Sequence, residues 1–179
     1  MGERGTLPRG CRRCDFDYDR RREPMTITMT AARPRATGYP GYNTTHPCVG
    51  EAAAAARRLV RTACATWGLE GHAEIGALII SELVANAVRH TTSHSIRVIV
   101  DRPAATQLRL AVVDKDPYAL PVLRFPGDED ERGRGLLLVD RLSERWGCDV
   151  LGSAVRPWGK RSWAELRIAG GPDNARSPV

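Results

Sequence analysis

Three side chains on one expected helix have types and spacing that suit chemistry. Glu82, Asn86 and His90 stand four residues apart, so each rotates only about 40° from the last on a helix of about 3.6 residues per turn. A carboxylate, a carboxamide and an imidazole therefore share one stripe. Glu82 there can take a proton from an attacking hydroxyl as a general base, and the Asn86 oxygen can bind Mg²⁺ together with phosphates. The same spacing also makes an ordinary solvated helix face. Leu83 and Ala87 weigh against that reading, because they put the polar groups at the border of an apolar stripe, where a ligand can lie between helix and sheet.

Two further places add to the stripe. Asp114 ends the apolar run Leu108 to Val113, and a carboxylate there can accept a hydrogen bond from an exocyclic amine. Adenine offers such an amine, whereas guanine presents an acceptor at the same position. An aspartate ending a strand beside Asp116 and Pro117 is also common turn chemistry. Gly133 and Gly135 flank Arg134 ahead of an apolar helix, an arrangement that lets backbone N–H groups approach phosphate oxygens at a helix N-terminus.

The elements that must position these groups can be read from periodicity. Val49, Ala53, Ala56, Val60, Cys64 and Trp67 recur at steps of three and four before Gly68, which predicts a first helix. Ile75, Leu78, Ile79, Leu83 and Ala87 predict a second, from about His72 to His90. The period then falls to two: Ile96, Val98 and Val100, and after Pro103 Leu108, Leu110 and Val112, predict two strands of a hairpin. A loop over 117–132 carries the acidic run Asp128 to Glu131. A short helix after the Gly133–Gly135 turn, a strand from Trp146 to Leu151 and a last strand alternating Ser162, Ala164, Leu166 and Ile168 complete the order. Helix, helix, strand, strand, short helix, strand, strand predicts an α+β two-layer sandwich, with helices on one face of a mixed sheet. A dinucleotide-binding reading of the glycine turn fails, because those glycines would have to follow the first strand.

Composition sets the limits. The chain has 179 residues, one domain with tails, and no apolar run approaches the roughly 20 residues that span a bilayer. Residues 1–46 are rich in arginine and proline and read as a disordered tail, 47–169 as the domain, and 170–179 as a second disordered tail. No secretory leader is evident, so a cytoplasmic setting is expected. Of the net charge of +6, the first 47 residues contribute +4. The folded part is nearly neutral, which argues against a phosphate-backbone-binding face and leaves nucleic acid an unlikely partner of the domain. Cys11 and Cys14 form a single C-x-x-C with no second ligand pair, so ordinary reduced thiols are expected.

Taken in order, Ser81-Glu82-Leu83-Val84-Ala85-Asn86-Ala87-Val88-Arg89-His90, Val112-Val113-Asp114-Lys115-Asp116-Pro117, Gly133-Arg134-Gly135-Leu136 and Gly159-Lys160-Arg161-Ser162-Trp163-Ala164-Glu165-Leu166 resemble one family. They look like the ATP-binding domain shared by gyrase, chaperone, histidine-kinase and mismatch-repair proteins. Within it they resemble most the single-domain anti-sigma factor serine kinases. The resemblance implies a Bergerat (histidine kinase-like ATPase) fold and Mg-ATP as ligand. It implies Glu82 as general base, Asn86 as the Mg²⁺ ligand and Asp114 as the reader of the adenine amine. Gly133, Arg134, Gly135 and Leu136 would form the second glycine box, with Arg89 and His90 near phosphate or lid and Ser162 near the adenine. It further implies an anti-anti-sigma (STAS-type) protein as phosphoacceptor, control of a sigma factor, and compatibility with a homodimer. One departure stands out: where the family's first glycine box runs Asp-x-Gly-x-Gly, this chain has Asp114-Lys115-Asp116-Pro117-Tyr118. A catalytically inactive, ATP-dependent protein-interaction module is the alternative that this departure keeps open.

Overall fold

A computed structural model of the protein describes residues 38–122 and 134–168. Its order is β1 (Tyr42–Pro47), α1 (Ala52–Thr66), α2 (Glu70–His90), β2 (Ser95–Ala104), β3 (Gln107–Asp114), α3 (Arg134–Leu142), β4 (Arg145–Gly152) and β5 (Pro157–Arg167). The strands form one sheet in the order β1-β2-β3-β5-β4. This is the α+β two-layer architecture expected from the sequence.

Both long helices form for the reason their periodicity suggests. In α1 the buried residues Ala52, Ala56, Leu59, Val60, Ala63 and Cys64 make one stripe, and the helix stops where Gly68 takes a positive φ of 65°. In α2 Gly76, Ala77, Ile79, Ile80, Leu83, Val84 and Ala87 are buried. Glu70 in its first turn and Arg89 and His90 in its last complement the helix dipole. The two stripes meet the even-numbered side chains of the sheet, Ile96, Val98, Val100, Leu108, Leu110, Val112, Ala164 and Leu166, in one core.

Three expectations are corrected. The sheet is antiparallel at all four pairings rather than mixed, because β5 doubles back from β4 and inserts between it and β3. Tyr42–Pro47, assigned by the sequence reading to the tail up to residue 46, is an edge strand paired with Ser95–Val100. Its stabilisation is tertiary: Tyr42 packs on Trp67 with ring centroids 5.4 Å apart. Pro103 does not end β2. The strand runs on to Ala104 across a register shift between Asp101 and Ala104, the kind of irregularity at which a residue without an N–H is tolerated. The cysteine pair Cys11 and Cys14, the acidic run 128–131 and residues 170–179 lie outside the described residues. No helix among the described residues is long and apolar enough to cross a membrane.

Helices α1 and α2 approach closely at Gly76, where a Cβ would stand 2.9 Å from Val60 Cγ1. Val60 is β-branched and cannot swing aside cheaply. Gly76→Val is expected to overpack this contact and lower stability by about 1–3 kcal/mol, measured as a reduced denaturant midpoint with an unchanged slope.

Candidate functional site

Helix α2 and the sheet converge at one end of the domain. The loop after α2 is tied to the turn after β3: Lys115 N–H donates to Ser93 Oγ at 3.2 Å, and Ser93 Oγ donates to the Ser95 carbonyl at 2.6 Å. These bonds hold the end of α2, which carries Asn86 and His90, beside the end of β3, which carries Asp114.

Glu82 and Asn86 are both half-buried on α2. Helix α3 meets α2 at Glu82, and a Cβ at position 135 would overlap Glu82 Oε2. A side chain there would have to displace the flexible end of Glu82. The sequence expected a Gly133–Gly135 turn before the helix, but α3 already begins at Arg134, so Arg134 and Gly135 form its first turn and the Glu82 carboxylate lies against a helix N-terminus. Leu136 is half-buried and Arg134 exposed, while Gly133 lies outside the described residues. Arg89 and His90 are exposed in the last turn of α2.

Asp114 is 2% exposed at the end of β3. Opposite it in the β3–β5 register stands Lys160, itself 1% exposed. Lys160 Nζ donates to Asp114 Oδ1 and to the Asp116 carbonyl, each at 2.9 Å, and Asp116 N–H donates to the same Oδ1 at 2.9 Å. Burial, the largest influence, pushes the Asp114 carboxyl above its ordinary range, and the bonds from Lys160 and Asp116 oppose it. Asp116 closes its own turn by accepting N–H groups from Tyr118 at 3.1 Å and Ala119 at 3.2 Å, and these backbone donors hold its carboxyl below the usual range. The missing glycines of the first box are thus replaced by an aspartate-capped turn braced from β5.

Close approach is supplied from the other strand. A Cβ at Gly159 would overlap the Asp114 carbonyl oxygen. Ser162 lies two residues beyond Lys160 on the same sheet face, opposite Val112 and Cys148, and its hydroxyl donates to Cys148 Sγ at 3.7 Å. Burial pushes that thiol up to about 11, so it stays protonated at neutral pH.

The sequence reading missed the roles of Lys160 and Gly159. Lys160 was visible as one of two lysines in the chain, but its link to Asp114 requires the register of strands that are not neighbours in sequence. Among the described residues no three His, Cys, Asp or Glu side chains cluster as a ready-made metal site. Mg²⁺ does not require one, because it commonly binds through one or two protein oxygens and substrate phosphates. Asn86 offers such an oxygen. For a nucleotide, the amine-accepting chemistry of Asp114 fits an adenine base, and the backbone N–H groups in the first turn of α3 fit phosphate oxygens.

Residues 49–156 match the histidine kinase-like ATPase domain family, and the chain belongs to it. The family implies ATP binding, in keeping with the site. Lys160 lies beyond the matched segment. The chain is also similar to an uncharacterised protein of Streptomyces coelicolor, with 41% identity over 69 residues, covering 36% of this chain and 66% of that protein, just under two thirds of its length.

Gly159→Ala is expected to push the new Cβ into the backbone of Asp114, costing about 1–3 kcal/mol. A chemical-denaturation midpoint indistinguishable from wild type would contradict the close approach.

Proposed function

We propose that the protein is a Mg-ATP-dependent serine/threonine protein kinase of the anti-sigma factor type, with an anti-anti-sigma protein of STAS type as its phosphoacceptor and sigma-factor availability as the output. The observation that carries the proposal is the half-buried Glu82 carboxylate against Gly135, at the N-terminus of α3. That places a proton acceptor where a helix terminus favours phosphate oxygens.

In this reading Asp114 accepts a hydrogen bond from the adenine amine, and the first turn of α3 offers backbone N–H groups to the phosphates. Glu82 takes the proton from a serine or threonine hydroxyl of the partner as that oxygen bonds to the γ-phosphorus and the bond to the β-phosphate oxygen breaks, releasing ADP. Asn86 holds Mg²⁺ through its side-chain oxygen; the bound ion would neutralise charge on the transferred group, a large part of what a protein can contribute to this reaction. Arg89 and His90, exposed one turn further along α2, contact the phosphates in this reading. Ser162 lines the base end.

A second reading, ATP-dependent binding of a regulatory partner without transfer, is supported by the first box. Lys160 and the Asp116-capped turn brace that side of the site, where the family pattern has two glycines.

Glu82→Gln is expected to leave ATP affinity nearly unchanged and to lower phosphate transfer about 10²–10⁴-fold. Asn86→Ala is expected to remove the Mg²⁺-dependent part of ATP binding. Calorimetric titration of ATP with and without Mg²⁺, and transfer of labelled phosphate to a STAS-type protein, check both. Full transfer by Glu82→Gln would remove Glu82 from the chemistry, and Mg²⁺-dependent binding by the wild type with no transfer to any acceptor would select the second reading.

A further inference from the structure

We propose that Lys160 is the positioning residue that sets which nucleobase this site accepts, by fixing Asp114 as an acceptor-only group whose Oδ2 is left for an exocyclic amine. The proposal rests on the nucleotide-binding reading and extends it to a residue outside the matched family segment.

Lys160 Nζ and Asp116 N–H both donate to Asp114 Oδ1, so neither takes Oδ2. A second Lys160 bond, to the Asp116 carbonyl, fixes the turn to the same ammonium group. Both side chains are nearly buried, so the two partners hold each other in place. The Lys160 ammonium is engaged by Asp114 Oδ1 and the Asp116 carbonyl, so it acts on the base through Asp114.

An ionised carboxylate accepts hydrogen bonds and cannot donate them. It can pair with the amine of adenine, and it opposes the carbonyl that guanine presents at that position. A protonated carboxyl could donate to that carbonyl, and the discrimination would fall. Burial favours the protonated form, and Lys160 is the one cation among the influences on Asp114; the other titratable groups facing it are Asp116 in its own turn and the Cys148 thiol on β4.

The test is calorimetric titration of ATP and GTP into the full chain between about pH 5 and pH 8, with Lys160→Gln and Lys160→Arg beside the wild type. Gln removes the cation, so the carboxylate protonates at higher pH. The loss of ATP affinity on acidification should therefore begin at higher pH than in the wild type, and ATP preference over GTP at the acid end should fall about tenfold, the size of one charge-assisted hydrogen bond. Arg keeps the charge, but its fork is suited to both carboxylate oxygens, so ATP affinity should fall about tenfold or more without a displaced pH profile. This second variant keeps the proposal testable if Lys160→Gln does not fold. A folded Lys160→Gln with the wild-type pH profile and base preference overturns the role of Lys160 while leaving nucleotide binding intact, as does a folded Lys160→Arg with wild-type ATP affinity. A wild type that binds neither nucleotide overturns the nucleotide reading itself and the proposal with it.

Discussion

The ion pair between Lys160 and Asp114 has to form inside the domain, since both side chains are almost completely buried. Removing two ions from water costs several kcal/mol each, and their attraction repays this only when the geometry is good and the remaining polar atoms find partners. Here the partners are backbone groups of one turn: the Asp116 carbonyl for the ammonium and the Asp116 N–H for the carboxylate. The pair therefore constrains the register of the central strands. A one-residue slip of β5 against β3 would turn Lys160 to the opposite face and leave Asp114 buried without a cation. The same slip would remove Gly159 from the one position where the Asp114 carbonyl needs an absent side chain.

The opposite sheet face handles its charges in a related way. Glu165 is fully buried and is bound from one side by Arg109 and from the other by Arg145, while Arg161 holds Asp149 at 2.6 Å. Between these pairs Trp163 lies over Gly147, whose hydrogen is all that the indole leaves room for, with the Arg109 guanidinium 5.7 Å from its ring centroid. Arginine stems and one tryptophan thus cover a face to which the helices do not contribute. Four arginines of the folded part are accounted for in this way: Arg109, Arg145, Arg161 and Arg167 each engage a carboxylate.

How far the sequence disclosed this depends on whether a feature is local. Helices α1 and α2 were legible because their apolar residues keep a period near 3.6, and β2 and β3 because theirs keep a period of two. The stripe Glu82-Asn86-His90 follows from the helix alone. Strand β1 was not legible: Tyr42, Thr44 and His46, which share the helix-facing side, are polar or half-polar, and the pairing with β2 that makes them a strand is tertiary. Pro103 misled because the rule that removes proline from strands ignores a register shift. Asp114 was legible as a strand-ending carboxylate, yet its partner was not, since nothing within 40 residues of it in sequence points to Lys160.

What lies opposite each glycine explains why the site keeps some glycines and lacks others. At position 135 the opposing atoms belong to Glu82, so a side chain there would displace the carboxylate that the proposed chemistry needs. Near Asp114 the demand is different: a turn must close and two backbones must come together. Asp116 closes the turn with its own carboxylate, Lys160 braces it, and Gly159 provides the close approach from β5. Glycines within the turn itself are then unnecessary, and Pro117 can stand where a flexible residue would have loosened the hold on Asp114. The site is thus built stiff at the base end. At the contact of α2 with α3 one glycine leaves room for the Glu82 carboxylate beside the first turn of α3.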